Sequence, residues 1–255
     1  MTESEWLASE DPHRMLDYLC AVTGSTYGGP TEYDRKPSDR KLRLFAVACC
    51  RQVWSLLADD VLCPNCDGRG LLPSTDGDFH YCLDCHSTGR INCSRKAVEV
   101  AERFADGKVT KDSLCDARWK AASVWENVDG QAELDAETAM MMADECCHAD
   151  AEEAADFMVR EKVLPSREIV ADLLREIVGN PFAPQDALAF QWQQYQTARA
   201  MAEEAYANRD WGLLPILADN LADAGCENAA LLAHLRSDAN HVRGCFALDC
   251  FLGKE

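Results

Sequence analysis

No stretch of this 255-residue chain approaches the roughly 20 consecutive apolar residues that span a bilayer, so the sequence offers no membrane-spanning helix. A secretory leader is missing as well. The opening "MTESEWLASEDPHRML" places acids where a positive start and an apolar stretch are needed, and the expected location is the cytoplasm. Basic residues are scarce: 25 Lys plus Arg stand against 44 Asp plus Glu, a formal charge of -19. Binding phosphate requires clustered Lys and Arg, so nucleic-acid backbones and anionic membranes are poor partners, and a basic protein suits the charge better. Neither a G-x-S-x-G turn nor a phosphate-binding glycine loop occurs, which leaves nucleophilic and nucleotide chemistry without an anchor.

Cysteine, by contrast, is abundant. Fourteen cysteines without an export signal read as reduced thiols and metal ligands, because reducing compartments do not sustain structural disulfides. The acidity is uneven: residues 131–255 hold 23 acids and 9 bases, a balance of -14, whereas residues 1–55 hold 8 and 7.

Helical punctuation recurs along the chain. Asp11-Pro12 starts a short helix through Cys20. A loop rich in Gly, Pro and Tyr over 22–37 follows, and Ser38 then caps "DRKLRLFAVACCRQVWSLLAD", where Leu42, Phe45, Cys49 and Val53 form one apolar stripe. "SRKAVEVAERFADG" resumes with Val98, Ala101 and Ala105 on one face and Gly107 as its stop, and Thr110-Lys111 begins the next helix, which carries Leu114, Trp119 and Trp125. Residues 131–161 contain no Gly or Pro and are rich in Ala, Met and Glu, which predicts one long acidic helix. Pro165-Ser166 introduces another, broken by Gly179-Asn180-Pro181, and helices near 186–208, 212–224, 228–236 and 241–252 complete the chain. The expected fold is all-α, a multi-helix bundle with a small inserted zinc knuckle or ribbon containing short β-hairpins. The expected organisation is an N-terminal helical domain (1–58 and 93–178), a zinc-binding insert (59–92) and a C-terminal helical domain (179–255).

The insert carries the clearest chemistry. Cys63, Cys66, Cys82 and Cys85 are spaced C-x2-C-x15-C-x2-C, so two tight knuckles can bring four thiolates to the corners of a tetrahedron, the arrangement zinc accepts most readily. Gly68, Gly70 and Gly89 supply the positive backbone angles that free amide N–H groups to point at sulfur. Four thiolates close the coordination shell, so the expected ion is one structural Zn2+. His80, His86 and Cys93 lie near enough to replace a missing ligand. Arg69, Arg90, Arg95 and Lys96 offer phosphate contacts, yet Asp67, Asp76, Asp78 and Asp84 offset them in the same segment, and readers of nucleic acid present a clear basic face.

Three other constellations are weaker. Glu145 and His148 have the E-x-x-H spacing of di-iron bundles, with Glu152 one turn beyond, but the other match, Glu10 to His13, contains a proline, and a solvated acidic face is the simpler reading. The doublets Cys49-Cys50 and Cys146-Cys147 point roughly 100° apart on a helix, which predicts that one of each pair is buried as a small apolar residue. His241, Cys245 and Asp249 repeat every four residues and can be written as a nucleophilic set. Such a row on one helix leaves no room for substrate, so core packing, with Gly244 allowing close helix contact, is the expectation.

Two resemblances attach to these phrases. "CPNCDGRG" matches the C-x-x-C-x-G-x-G unit of the cysteine-rich region of the DnaJ chaperone family, and "CLDCHSTG" resembles it except that Ser87 replaces a glycine. The likeness spans about 28 residues, and the His-Pro-Asp motif of the J-domain is absent, so chaperone activity is not implied. "EWLASEDPHRMLDYL", "SDRKLRLFAVACCRQVW", "REIVGNPFAP" and "HVRGCFALDCFLGKE" together resemble an uncharacterised family abundant in planctomycete bacteria, and "LPILADNLADAGCENAALLAHLR" is similar to the repeat-companion module of those organisms. This likeness implies a helical fold, with 22–37 and 59–92 as insertions between family helices, and implies no activity. The functional expectation is a non-enzymatic interaction or adaptor module held by structural zinc. One alternative is an acidic immunity-type or antitoxin-type protein that captures a basic effector, and another is a metal- or thiol-dependent enzyme.

Overall fold

A reciprocal cap opens the chain: the Thr2 hydroxyl accepts from the Glu5 N–H and the Glu5 carboxylate accepts from the Thr2 N–H, the device that nucleates a first helical turn. It starts α1 (Glu3–Ala8), an element absent from the sequence reading. The computed structural model describes the chain except residues 21–35, 58–60, 64, 75–76, 84, 86, 88, 92, 126–133, 161–164, 184–195 and 255. The chain is mostly helical. Helices α2 (Pro12–Cys20) and α3 (Asp39–Gln52) precede four short strands, β1 (Val61–Leu62), β2 (Leu71–Pro73), β3 (Phe79–Tyr81) and β4 (Arg90–Ile91). Eight helices then follow among the described residues before the last: α4 (Ser94–Ala105), α5 (Lys111–Trp125), α6 (Leu134–Glu145), α7 (Ala151–Val159), α8 (Arg167–Val178), α9 (Gln196–Asn208), α10 (Leu214–Asp223), α11 (Ala229–Leu235), and finally α12 (Phe246–Leu252). Among the described residues no helix is long and apolar enough to cross a membrane, and every strand lies in the cysteine segment. The expected loop at 22–37 and the start of the helix expected at 186–208 fall largely outside the described residues.

The chain forms two compact units, Met1–Lys41 with Arg167–Glu255, and Leu42–Ser166. The sequence expectation instead grouped 1–58 with 93–178, because proximity in sequence says nothing about α1 and α2 packing on a distant helix. That packing is specific. Trp6 is buried and its indole N–H donates to the Gly179 carbonyl at 3.2 Å, while the Arg175 guanidinium caps the carbonyls of Trp6 and Ser9. Such donors satisfy acceptors that the end of a helix leaves open. In the same unit α9, α10, α11 and α12 enclose a core of Ala202, Leu217, Leu221, Leu231, Leu248 and Phe251.

The second unit packs α4, α5 and α6 against one another. Ala97, Val98 and Ala101 recur at helical spacing on α4, Leu114 and Ala121 on α5, and Ala139, Met142 and Ala143 on α6, the periodicity that buries one helical face. Trp119 of α5 lies on the outer side and is exposed. Residues Leu42 through Cys50 of α3 are all buried, not only the expected stripe.

The single long helix expected at 131–161 is two, α6 and α7, with a break at residues 146–150. Propensity alone favours continuity, but two competing interactions win. The Asp150 carboxylate accepts the N–H groups of Glu152 and Glu153 and so caps a new helix. The buried Arg43 guanidinium donates to the carbonyls of Cys146 and Ala149 at 2.9 and 3.5 Å. Those carbonyls are freed by the break and satisfied from another element. The cysteine doublets pack as small apolar residues, and both members of each are buried: Cys49, Cys50, Cys146 and Cys147. Each side of the doublet at 146–147 finds its own acceptor, Ala143 O for Cys146 and Ala97 O for Cys147. Because α6 ends at Glu145, the two thiols are not constrained to one helical cylinder.

Candidate metal centres

The cysteine segment is built from two equivalent halves. Advancing by nineteen positions carries Cys63 to Cys82, Cys66 to Cys85, Gly68 to Ser87 and Gly70 to Gly89. The hydrogen bonds repeat with the same offset: the Gly68 N–H donates to Cys63 O and the Ser87 N–H to Cys82 O, at 3.2 and 3.0 Å. The halves also clasp each other, since the Cys63 N–H donates to Gly89 O and the Cys82 N–H to Gly70 O, each at 3.0 Å. Strand β1 pairs antiparallel with β4, and β2 with β3 in the register Leu71 to Tyr81, Leu72 to His80 and Pro73 to Phe79. Two short ladders of this size are marginal by themselves.

All four cysteines are buried, and their sulfurs lie within 4.8 Å of one another. The Sγ atoms of Cys63 and Cys82 are 3.7 Å apart and those of Cys66 and Cys85 3.6 Å. A tetrahedral ion with metal–sulfur bonds of about 2.3 Å demands sulfur–sulfur edges of about 3.8 Å, so the cage is already near the required size. None of the fourteen cysteines is bridged. The Gly70 N–H donates to Cys66 Sγ at 3.2 Å and the Gly89 N–H to Cys85 Sγ at 3.3 Å. Amides aimed at sulfur stabilise thiolate and orient it for a metal.

The thiols differ in acidity. Burial pushes Cys85 up to about 12 and raises Cys63. Burial opposes ionisation at Cys66 as well, but the Gly70 amide and the neighbouring thiols outweigh it and bring that group down to about 7. Of these three thiols, Cys66 is held closest to ionisation. The four residues read from spacing are the four the fold brings together, and the set can hold a tetrahedral metal ion.

The other expected candidates lie elsewhere. His80 is exposed on β3, Cys93 is buried at the start of α4, and His86 falls outside the described residues. Glu145 ends α6 and pairs with Arg118 at 3.2 Å, while His148 sits in the break and bonds the backbone of Asp150. The two do not form a ligand pair. The residues His241 to Cys245 are not helical, because α12 begins at Phe246 with Cys245 as its N-cap, so the expected helix at 241–252 starts late and its i, i+4 row dissolves. The Asp249 carboxylate has other partners: it is held bidentately by Arg40, at 2.7 and 3.1 Å, and by Lys41 at 2.6 Å. It is a buried ion cluster within the first unit, with Lys41 Nζ also donating to Ile177 O and Gly244 O.

His241 instead meets residues that sequence reasoning missed. Its Nδ1 lies 3.0 Å from Glu176 Oε1, and His234 Nε2 lies 3.4 Å from Glu176 Oε2 and 3.3 Å from Cys245 Sγ. Burial opposes the Glu176 charge, but the two imidazoles outweigh it and hold the carboxyl down to about 2. His234, His241 and Cys245 fall within twelve residues of sequence, a density of donors that was legible. Glu176, on α8, carries no local signal. No family model, no curated protein and no solved structure matches the chain.

Proposed function

We propose that the protein is a non-enzymatic interaction module whose cysteine segment, closed around one structural Zn2+, presents apolar side chains to a basic protein partner. The observation that carries this reading is the exposure of Leu62 at 61%, Phe79 at 66%, Tyr81 at 73% and Leu83 at 76%, all on one small segment. Scattered exposed apolar residues are ordinary, but large ones gathered on a module with almost no core of its own mark a contact surface. Zinc fits the donor set: four thiolates in a buried tetrahedral cage leave no open position for water or substrate, the property that separates structural from catalytic zinc.

Charge supports the choice of partner. The segment 59–92 carries six Asp against two Arg, within a chain of -19. Negative charge on the chain speeds capture of a basic surface, while apolar anchors set how long it stays. Unbridged cysteines in this number suit a reducing compartment, in keeping with the cytoplasmic expectation.

Photo-crosslinking from position 81 in cells of the native host tests the reading. A discrete conjugate with a basic protein is expected, with a yield that falls as salt rises and is lost in a Phe79→Ser/Leu83→Ser variant that still carries zinc. A wild-type protein that holds zinc and yields no such conjugate, or one whose conjugate survives both substitutions, refutes it.

A further inference from the structure

Outside the cysteine segment, four metal-ligating side chains converge from separate parts of one compact unit: Glu176 from the last turn of α8, His234 from α11, His241 from the connection that follows, and Cys245 from the N-cap of α12. We propose that Glu176, His234, His241 and Cys245 form a second metal site, which binds one divalent ion of the zinc class with mixed carboxylate, imidazole and thiolate ligands.

Geometry is the first support. The four donor atoms lie within 4.8 Å of one another; His234 Nε2 is 3.3 Å from Cys245 Sγ, and the two Glu176 oxygens divide between the rings, Oε1 at 3.0 Å from His241 Nδ1 and Oε2 at 3.4 Å from His234 Nε2. A tetrahedral ion with bonds of about 2.0–2.1 Å to nitrogen and oxygen and about 2.3 Å to sulfur gives edges of roughly 3.3–3.6 Å. Small adjustments of side chains therefore suffice.

The donor set gives a second support. His234 Nε2 faces both the Glu176 carboxylate and the Cys245 sulfur, so an imidazole, a carboxylate and a thiol already converge away from solvent. His241 is buried, and its Nδ1 is the nitrogen that meets Glu176. One carboxylate and one thiolate would balance the two charges of a dication, and neutral imidazoles would complete the shell.

The surroundings favour a structural ion. Glu176, His241 and Cys245 are almost fully buried and His234 is mostly so, which leaves no approach for substrate to the Cys245 thiol. Donors on the segment between α11 and α12 would be tied to α8; this segment has turn hydrogen bonds, from the His241 N–H to Ala239 O and from the Cys245 N–H to Val242 O, and is held to α9 through the Arg243 guanidinium on the carbonyls of Tyr206 and Ala207. Lys41 already anchors Gly244 from outside the ligand set. The ion would act as a clasp where regular structure is missing.

The test uses the full chain, stripped with chelator and reloaded with Zn2+, with metal counted by mass spectrometry. About two ions per wild-type chain are expected, one in Cys63→Ala/Cys66→Ala and one in Glu176→Gln/Cys245→Ala. Co2+ loaded into the Cys63→Ala/Cys66→Ala variant is expected to show the visible bands of a tetrahedral site with a single thiolate. This second readout leaves the proposed ligands intact, so it stands even where Glu176→Gln/Cys245→Ala fails to fold. A wild-type count of one, with none left in Cys63→Ala/Cys66→Ala, overturns the second site. That result leaves the zinc of the cysteine segment standing, so the two readings fail separately.

Discussion

Ser87 occupies in the second knuckle the left-handed backbone conformation that Gly68 holds in the first, with φ of 65° against 76°. An L-residue in this region carries a steric penalty of roughly 1–2 kcal/mol, partly offset because glycine loses more chain entropy on folding. Ser87 is exposed and its amide, not its side chain, makes the hydrogen bond to Cys82. Ser87→Gly is therefore expected to stabilise the metal-loaded segment by about 0.5–1 kcal/mol. A tighter zinc affinity in competition with a chromogenic chelator checks this, and an unchanged or weaker affinity contradicts it.

Gly70 and Gly89 obey a harder constraint. A Cβ on Gly70 meets the Ser87 carbonyl oxygen at 2.3 Å, and one on Gly89 meets the Gly68 oxygen at 2.1 Å, distances that backbone atoms cannot relieve without separating the two knuckles. Gly70→Ala and Gly89→Ala are each expected to abolish tight zinc binding at the four cysteines. Gly77 provides the control, since its φ is 89° but nothing among the described residues lies within 4 Å of an added Cβ. Gly77→Ala is expected to keep the metal and lose only about 1 kcal/mol. Equal loss of metal in all three variants would show that backbone angle, not the approach of the halves, sets the site.

The cysteine cage was legible because its information is local: two tight turns, each with its own pair of sulfurs and its own glycines, specify a tetrahedron wherever the chain carries them. Helix ends marked by Gly107, Gly179 and Gly225 were legible for the same reason, and all three residues take positive φ. What escaped is tertiary. The break between α6 and α7 answers to Arg43, about a hundred residues away, and propensity over 131–161 contains no trace of it. Glu176 meets His241 across 65 residues, and its charge reads in sequence as one more acid on an amphipathic helix. Asp249 looked like the end of a row with Cys245 until Arg40 and Lys41, more than two hundred residues earlier, claimed its carboxylate.

Arg43 is nearly fully buried, lies over the Phe104 ring at 5.2 Å to its centroid, and satisfies two carbonyls at the break. Removing it strands at least one buried acceptor and opens a cavity. Arg43→Ala is expected to lower unfolding free energy by on the order of 3 kcal/mol. Arg43→Lys keeps the charge but reaches two diverging carbonyls poorly, so it is expected to recover only part of the loss. Denaturant titration measures both, and a lysine variant as stable as wild type would reduce the role of Arg43 to its charge alone.

Asp144 provides the test in pH. It is mostly buried on α6, and although Arg118 lies 3.3 Å away, burial prevails and raises its carboxyl above the ordinary aspartate value. A group whose folded pKa stands above its unfolded one binds more protons when folded, so its contribution is greatest below the unfolded value and declines as pH rises through the folded one. At neutral pH the ionised Asp144 is thus a burden on the fold, and Arg118 retains Glu145 as a second partner at 3.2 Å. Asp144→Asn is expected to match or exceed wild-type stability at pH 7, with the difference shrinking as pH falls through the raised folded value toward the ordinary aspartate value of about 3.9. Denaturant midpoints measured across that interval decide it. A variant that is less stable at pH 7, with the deficit fading in acid, would mean that the Arg118 pair outweighs desolvation and that Asp144 holds its charge because the fold needs it.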